Sequence, residues 1–126
     1  MSRKQSREHA FKLLYRLAFG QEFSFDVEEQ IDEKETEYIN TLCNSVKNNL
    51  EVIDKHIERL SSGFKLDRIF SVDLTILRLA IAEILYMPTP NPVVVDTCIT
   101  LVKKYSSEKS FSFVNGILAN FLKEQG

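Results

Sequence analysis

The chain offers few side chains for chemistry. It has two histidines, His9 and His56, and two cysteines, Cys43 and Cys98. His56 lies among Asp54, Lys55 and Glu58 and reads as part of a solvated helix face. His9 stands beside a basic cluster, where a phosphate contact and a plain surface position are both open. No CxxC or HxxxH spacing occurs, so no metal site is expected. The cysteines read as small apolar residues of a protein kept in a reducing cytosol. Carboxylates crowd residues 26–37 but lack the apolar surround that would raise one of them for acid–base work. No GxxxxGK[ST], GxGxxG or GxSxG pattern is found. The expectation is a binding module with no catalytic residue and no cofactor, not an enzyme.

The chemistry that remains is electrostatic. The 126 residues carry 16 Lys+Arg against 18 Asp+Glu, a net charge of -2. That mean conceals an asymmetry. Residues 1–16 hold Arg3, Lys4, Arg7, Lys12 and Arg16 against Glu8 alone. Residues 17–40 hold eight acidic side chains against Lys34. The rest is close to neutral. Local potential, rather than net charge, governs encounter with a polyanion. A basic end on a near-neutral protein therefore points to nucleic acid, with an ordinary exposed helix start as the plainer alternative.

The elements that must position these charges read as helices. At 44% hydrophobic and 27% charged residues, the chain has the length and composition of one globular domain spanning residues 1–126. Ser2 or Ser6 caps a first helix to Phe19. Its apolar face is Ala10, Leu13, Leu14, Leu17 and Ala18, and Gly20 stops it. Arg3 and Arg7 fall on the side of that face, while Lys12 and Arg16 fall opposite. Whether Arg3 and Arg7 overhang a groove or sit on a mobile arm stays open. Residues 22–33, with Phe23, Phe25, Val27 and Ile31, read as a loop with one short helix. A helical pattern over residues 34–60 carries Tyr38, Leu42, Val46, Leu50, Ile53, Ile57 and Leu60, with a break at Asn48-Asn49.

Ser71 is expected to cap a helix over residues 72–86 that is apolar nearly all round, hence central. It is too short to span a membrane, and no signal peptide is expected at the N-terminus. Pro88, Pro90 and Pro92 mark a stiff link, with Asn91 and Pro92 as cap and first position of a helix to Tyr105. Ser106-Ser107 opens a last helix bearing Phe113, Val114, Ile117, Leu118, Phe121 and Leu122. Asn115-Gly116 is a hairpin dipeptide, but the helical period runs through it in phase. Gly116 inside a helix suggests a close packing contact. The sum is an all-α bundle of about six or seven helices.

Four stretches of the chain resemble the NusB family of bacterial transcription antitermination factors. They are Arg7-Glu8-His9-Ala10 with Leu14-Tyr15, Leu66-Asp67-Arg68-Ile69 to Val72-Asp73, Ile76-Leu77-Arg78-Leu79-Ala80 with Glu83-Ile84-Leu85-Tyr86, and Lys103-Lys104-Tyr105 through Phe113-Val114-Asn115-Gly116-Ile117-Leu118. They occur in the family's order and span nearly the whole chain.

The resemblance implies two packed helical subbundles and a cytoplasmic protein with neither reaction nor cofactor. It implies binding of single-stranded boxA RNA of ribosomal transcripts, with the ribosomal protein NusE as partner. Through that complex it implies indirect association with elongating RNA polymerase and suppression of premature termination. A homodimer stays open. Single-stranded RNA is held by phosphate neutralisation and by stacking of splayed bases on aromatic rings. The residues expected in the RNA role are Arg3, Lys4 and Arg7 for phosphate, and Phe113 or Phe111 as the ring with Lys109 and Ser112 alongside. Those expected toward the protein partner are Tyr15 and Glu83, with an intramolecular Lys or Arg partner for Glu83 left open. The N-terminus has fewer consecutive arginines than many members, with Gln5 and Ser6 interrupting the cluster, so greater dependence on the partner is expected. Two alternatives are a helical protein–protein adaptor without an RNA role, and a relative of the RNA-binding domain of an RNA cytosine methyltransferase.

Overall fold

The computed structural model describes residues 2–20 and 32–126. Within them the regular structure is helical: α1 (Arg3–Phe19), α2 (Glu33–Asn48), α3 (Leu50–Leu60), a 3₁₀ turn at Leu66–Arg68, α4 (Ser71–Tyr86), α5 (Asn91–Tyr105) and α6 (Glu108–Gln125). Most of the loop expected over residues 22–33 lies outside the described residues.

Ser2 begins α1 with a reciprocal cap. Its Oγ accepts from the Gln5 N–H at 3.1 Å, and its own N–H donates to Gln5 Oε1 at 2.8 Å. The helix ends at Gly20, whose φ of 69° suits glycine. The buried stripe is Ser6, Arg7, Ala10, Phe11, Leu14 and Tyr15. Leu17 and Ala18 were expected in it and are instead exposed. The Tyr15 hydroxyl already meets Ser71, the first residue of α4, so the last turn of α1 overhangs the end of its neighbour.

The break between α2 and α3 falls at Asn49, whose amide donates back to the Ser45 carbonyl at 2.8 Å. After α3 the chain turns through Ser62 (φ 55°) and Gly63 (φ 91°). Phe70, not Ser71, is the cap of α4, and Pro90, not Asn91, that of α5; each helix starts one residue earlier than its pattern suggests. Ser71 spends its hydroxyl on Tyr15 rather than on a cap.

The central helix is α4, as its all-round apolar sequence requires. Residues 72–77 and 79–83 are buried, and α4 packs against each of the other five helices. Arg78, largely buried, is compensated by a two-pronged bond to Asp54 of α3, at 2.8 and 2.9 Å. The other helices form two groups about α4: α1 with α2, and α6 with α3 and α5. Thinner contacts from α1 to α5 and from α2 to α3 link them.

The core includes Phe11, Leu42, Ile53, Ile57, Ile76, Leu77, Leu118 and Phe121, all fully buried. Each such side chain contributes about 1.5–3 kcal/mol. Gly116 does lie within α6, but the expected close contact is not there. A Cβ at that position would meet nothing within 4 Å, because Asn115 and Gly116 face outward. Among the described residues no helix is long and apolar enough to cross a membrane.

Candidate nucleic-acid interface

The capped start of α1 fixes the direction of the basic cluster, and α2 and α4 receive it. The Arg3 Nε donates to both oxygens of Glu35 at 2.9 and 3.1 Å, with its guanidinium 3.8 Å from the Tyr38 ring centroid. That hydrogen bond holds the Glu35 carboxyl below the usual carboxylate range, against the opposing effect of burial, and raises Arg3 in turn. The Arg3 side chain remains 40% exposed. Lys4 is exposed and meets Asp96 only at 4.0 Å. Arg3 and Lys4 thus stand at the surface.

Arg7 does not. One turn on from Arg3 it is buried, and its Nε donates to both oxygens of Glu83, at 3.0 and 2.9 Å. The same carboxylate accepts from the Tyr38 hydroxyl at 2.5 Å and from Thr89 Oγ1 at 2.6 Å. Glu83 therefore joins α1, α2, α4 and the proline link. Burial, and then the bond to Glu83, push the Tyr38 phenol well above its ordinary value. A carboxylate in an apolar helix needs a counter-charge and donors, and here it has both. This corrects two expectations. Arg7 is buried rather than open to a phosphate from solvent, and Glu83 is buried on Arg7, the intramolecular pair left open in the sequence.

Beside this network lies an open depression of about 520 Å³. Arg3, Tyr38, Pro88, Thr89, Pro90 and Val93 line it.

Tyr15 is also an inward residue. Only 6% exposed, it places its hydroxyl 3.1 Å from Ser71 Oγ and its ring 5.3 Å from that of Phe19. Phe19, against the tyrosine, is exposed, as is Phe70, which precedes Ser71 in sequence.

The second group of expected residues lies on α6. Ser107 Oγ accepts from the Ser110 N–H and caps the helix. Lys109 and Ser112 are exposed, and Phe113 is half-buried. The Phe113 ring meets Phe64 edge-on, at 6.2 Å between centroids and 84° between planes. Phe111 is exposed but is not part of that pair. Between the two groups, Glu8 of α1 binds Lys104 Nζ at 2.6 Å and accepts the Tyr105 hydroxyl. Burial opposes its ionisation, but those two bonds hold the Glu8 carboxyl low. Partial burial, with Lys12 and Arg16 beside it, pushes His9 down from its ordinary value.

Among the described residues no group of three His, Cys, Asp or Glu is placed to hold a metal ion. Burial raises both thiols, Cys43 to about 11 and Cys98 further. Sequence reasoning missed Glu35 as the partner of Arg3, and Tyr38 and Thr89 as donors to Glu83. Their separations from Arg3 or Glu83 range from 6 to 45 residues, which no local pattern encodes. It also passed over Phe64, whose signal was an apolar residue directly after a Ser-Gly turn and before Lys65.

Comparison with known proteins follows the same outline. Residues 4–123 match the model of the NusB family. The chain is 39% identical to a transcription antitermination protein NusB of Clostridium novyi (strain NT), covering 98% of this chain and 99% of that protein. It is 41% identical to one of Alkaliphilus oremlandii (strain OhILAs), over 100% and 96%. Among solved structures, T. maritima NusB superposes with a TM-score of 0.88 at 33% identity, over 98% of this chain and 92% of that one. A chain from a crystal structure of antitermination factors NusB and NusE in complex with dsRNA superposes with a TM-score of 0.82, also at 33% identity, over 97% and 96%.

Proposed function

The chain belongs to the NusB family, and from that premise we propose that it is a transcription antitermination factor acting as a single domain. It binds boxA RNA of ribosomal transcripts together with NusE and so suppresses premature termination by RNA polymerase. The observation that carries this is the match along almost the whole chain to proteins of that name, together with a fold shared with a NusB–NusE–RNA assembly. The role is one of binding, exercised in the cytoplasm.

Lys4 neutralises phosphate at one end of the site as a point charge, and Arg3, its charge partly offset by Glu35, adds the exposed part of its guanidinium beside it. Lys109, Ser112 and the Phe113 ring hold the other end. Arg7 and Glu83 act from beneath, keeping α1 on α4 and Tyr38 under Arg3. Tyr15 likewise supports the exposed Phe19 ring, the surface where NusE docks. The ligand is read as single-stranded because a base can stack on Phe113 only when splayed from its neighbours. The related complex contains double-stranded RNA, so the strand state is part of the test.

The test is fluorescence anisotropy with labelled single-stranded boxA RNA, the same RNA annealed to its complement, and a scrambled strand. Each is titrated with and without NusE at two salt concentrations. Single-stranded boxA should bind best, tighten with NusE and weaken with salt. If no RNA binds even with NusE present, the proposal fails and a protein adaptor is the reading left.

A further inference from the structure

We infer that the turn between α3 and α4 is a second RNA subsite, one that takes a nucleotide flanking the segment held by α6. This rests on the RNA-binding reading above.

Phe64 is 53% exposed, a large apolar ring that the core does not use. It is nevertheless held, edge-on against Phe113. A supported ring with a free face is a platform for a base, and every base has such a face to offer. The cations are placed to match. Lys65 and Arg68 follow Phe64 on the same turn, and Lys109 lies one helical turn before Phe113, on the same face of α6. All three are exposed, and none forms an ion pair with a described residue. By contrast, Arg3, Arg7, Arg59, Arg78 and Lys104 each have a carboxylate within 3 Å. Asp67 and Glu108 are the acidic residues nearest in sequence, so the local balance still favours an anion.

The backbone is shaped accordingly. Ser62 is the one non-glycine residue at positive φ among those described, and Gly63 follows it into the same region. A residue held there against its preference tends to mark a built feature. The turn opens a depression of about 340 Å³ lined by Ser62, Gly63, Phe64, Lys65 and Arg68. Beyond Phe113 the surface of α6 continues bare over Gly116. A single strand leaving Phe113 thus meets the Phe64 ring and the cations of Lys65 and Arg68.

The experiment compares the boxA RNA with the same RNA carrying single-stranded tails on both sides, titrated in the presence of NusE. Wild type should bind the tailed RNA more tightly. Phe64→Ala should lose about five-fold or more on the tailed RNA and little on the short one. Phe64→Tyr, which keeps the ring, should behave as wild type. Lys65→Gln with Arg68→Gln should lower the salt slope for the tailed RNA by about 1.4, two single-strand phosphates' worth. Circular dichroism controls for folding, and an exposed Phe64 leaves the helices intact when truncated. If wild type binds the short RNA but the variants match it on both RNAs, the subsite is refuted while the antitermination reading stands. If wild type binds neither RNA, both fail. If Phe64→Ala weakens NusE binding and not RNA binding, the surface belongs to the protein partner and the inference is wrong.

Discussion

Arg7 and Glu83 give the sharpest test of what the basic end of this protein does. The two side chains are 5% and 2% exposed and share two hydrogen bonds of 3.0 and 2.9 Å. In Arg7→Ala, Glu83 keeps the Tyr38 and Thr89 hydroxyls but loses the cation hydrogen-bonded to it. Removing one partner of a buried ion pair costs about 3–5 kcal/mol. Against a total stability of roughly 5–15 kcal/mol that is a large share. For a domain of this size it lowers Tm by on the order of 10 °C or more. Glu83→Gln should cost a similar amount, because it strands the Arg7 charge. Arg7→Met combined with Glu83→Leu and Tyr38→Phe should recover much of the loss, since no buried charge is then left alone. An apolar replacement of a whole buried pair is often neutral or better.

The assays are urea unfolding followed by circular dichroism, and RNA anisotropy across salt concentrations. If Arg7 acts through the fold, the single variant unfolds at lower urea while the folded fraction keeps the wild-type salt slope. The reasoning is refuted if Arg7→Ala unfolds with wild type yet binds RNA weakly and with a slope reduced by about 0.7. That pattern is the signature of a lost phosphate contact.

Other outcomes follow from single contacts. Gly116→Ala should raise stability by about 1 kcal/mol in urea, since the helix gains and the new Cβ meets nothing; a destabilised variant would mean that the open face is occupied. Tyr15→Phe loses the bond to Ser71 and should cost about 0.5–1.5 kcal/mol, with weaker NusE binding measured by titration calorimetry. Glu8 and Glu35 ionise more readily folded than unfolded, so their stabilisation is full above about pH 4.5 and is lost as pH falls through their lowered values. His9 is also lowered, so stability should decline as pH drops below about 6.5, and His9→Gln should flatten Tm against pH just below that value.

The helices were legible because their signal is local. Apolar residues three and four apart mark a face, and that pattern located α2 and α3, their break near Asn49, and the in-phase helix through Asn115-Gly116. The all-round apolar run of residues 72–86 even identified α4 as the helix at the centre. What failed is also local in cause. Ser71 and Asn91 have the side chains of caps, but the chain turns one residue sooner in each case. Glycine in a helix usually has a packing reason, which is why Gly116 suggests a close contact. Periodicity places it on α6, but says nothing about whether another element reaches that side.

The site was legible in residue type and not in pairing, and the difference changes the electrostatic argument. Five cations in the first 16 residues suggest a strong positive end. The fold spends two of them: Arg3 faces Glu35 across 32 positions of sequence, and Arg7 faces Glu83 across 76. Lys4 stands loosely near Asp96. Each carboxylate within hydrogen-bonding distance cancels most of a cation's long-range attraction for a polyanion, since beyond about a Debye length only the sum is felt. The field that an approaching RNA meets at α1 is therefore weaker than the sequence count implies. Lys65, Arg68 and Lys109, with no such carboxylates, contribute more than their scattered positions suggest. Alone, so modest a field gives weak, salt-sensitive binding. A partner that adds contacts to the same strand turns two weak attachments into one tight one, since the second forms at high effective concentration. Dependence on NusE is thus what these internal ion pairs predict, and it should grow as salt rises.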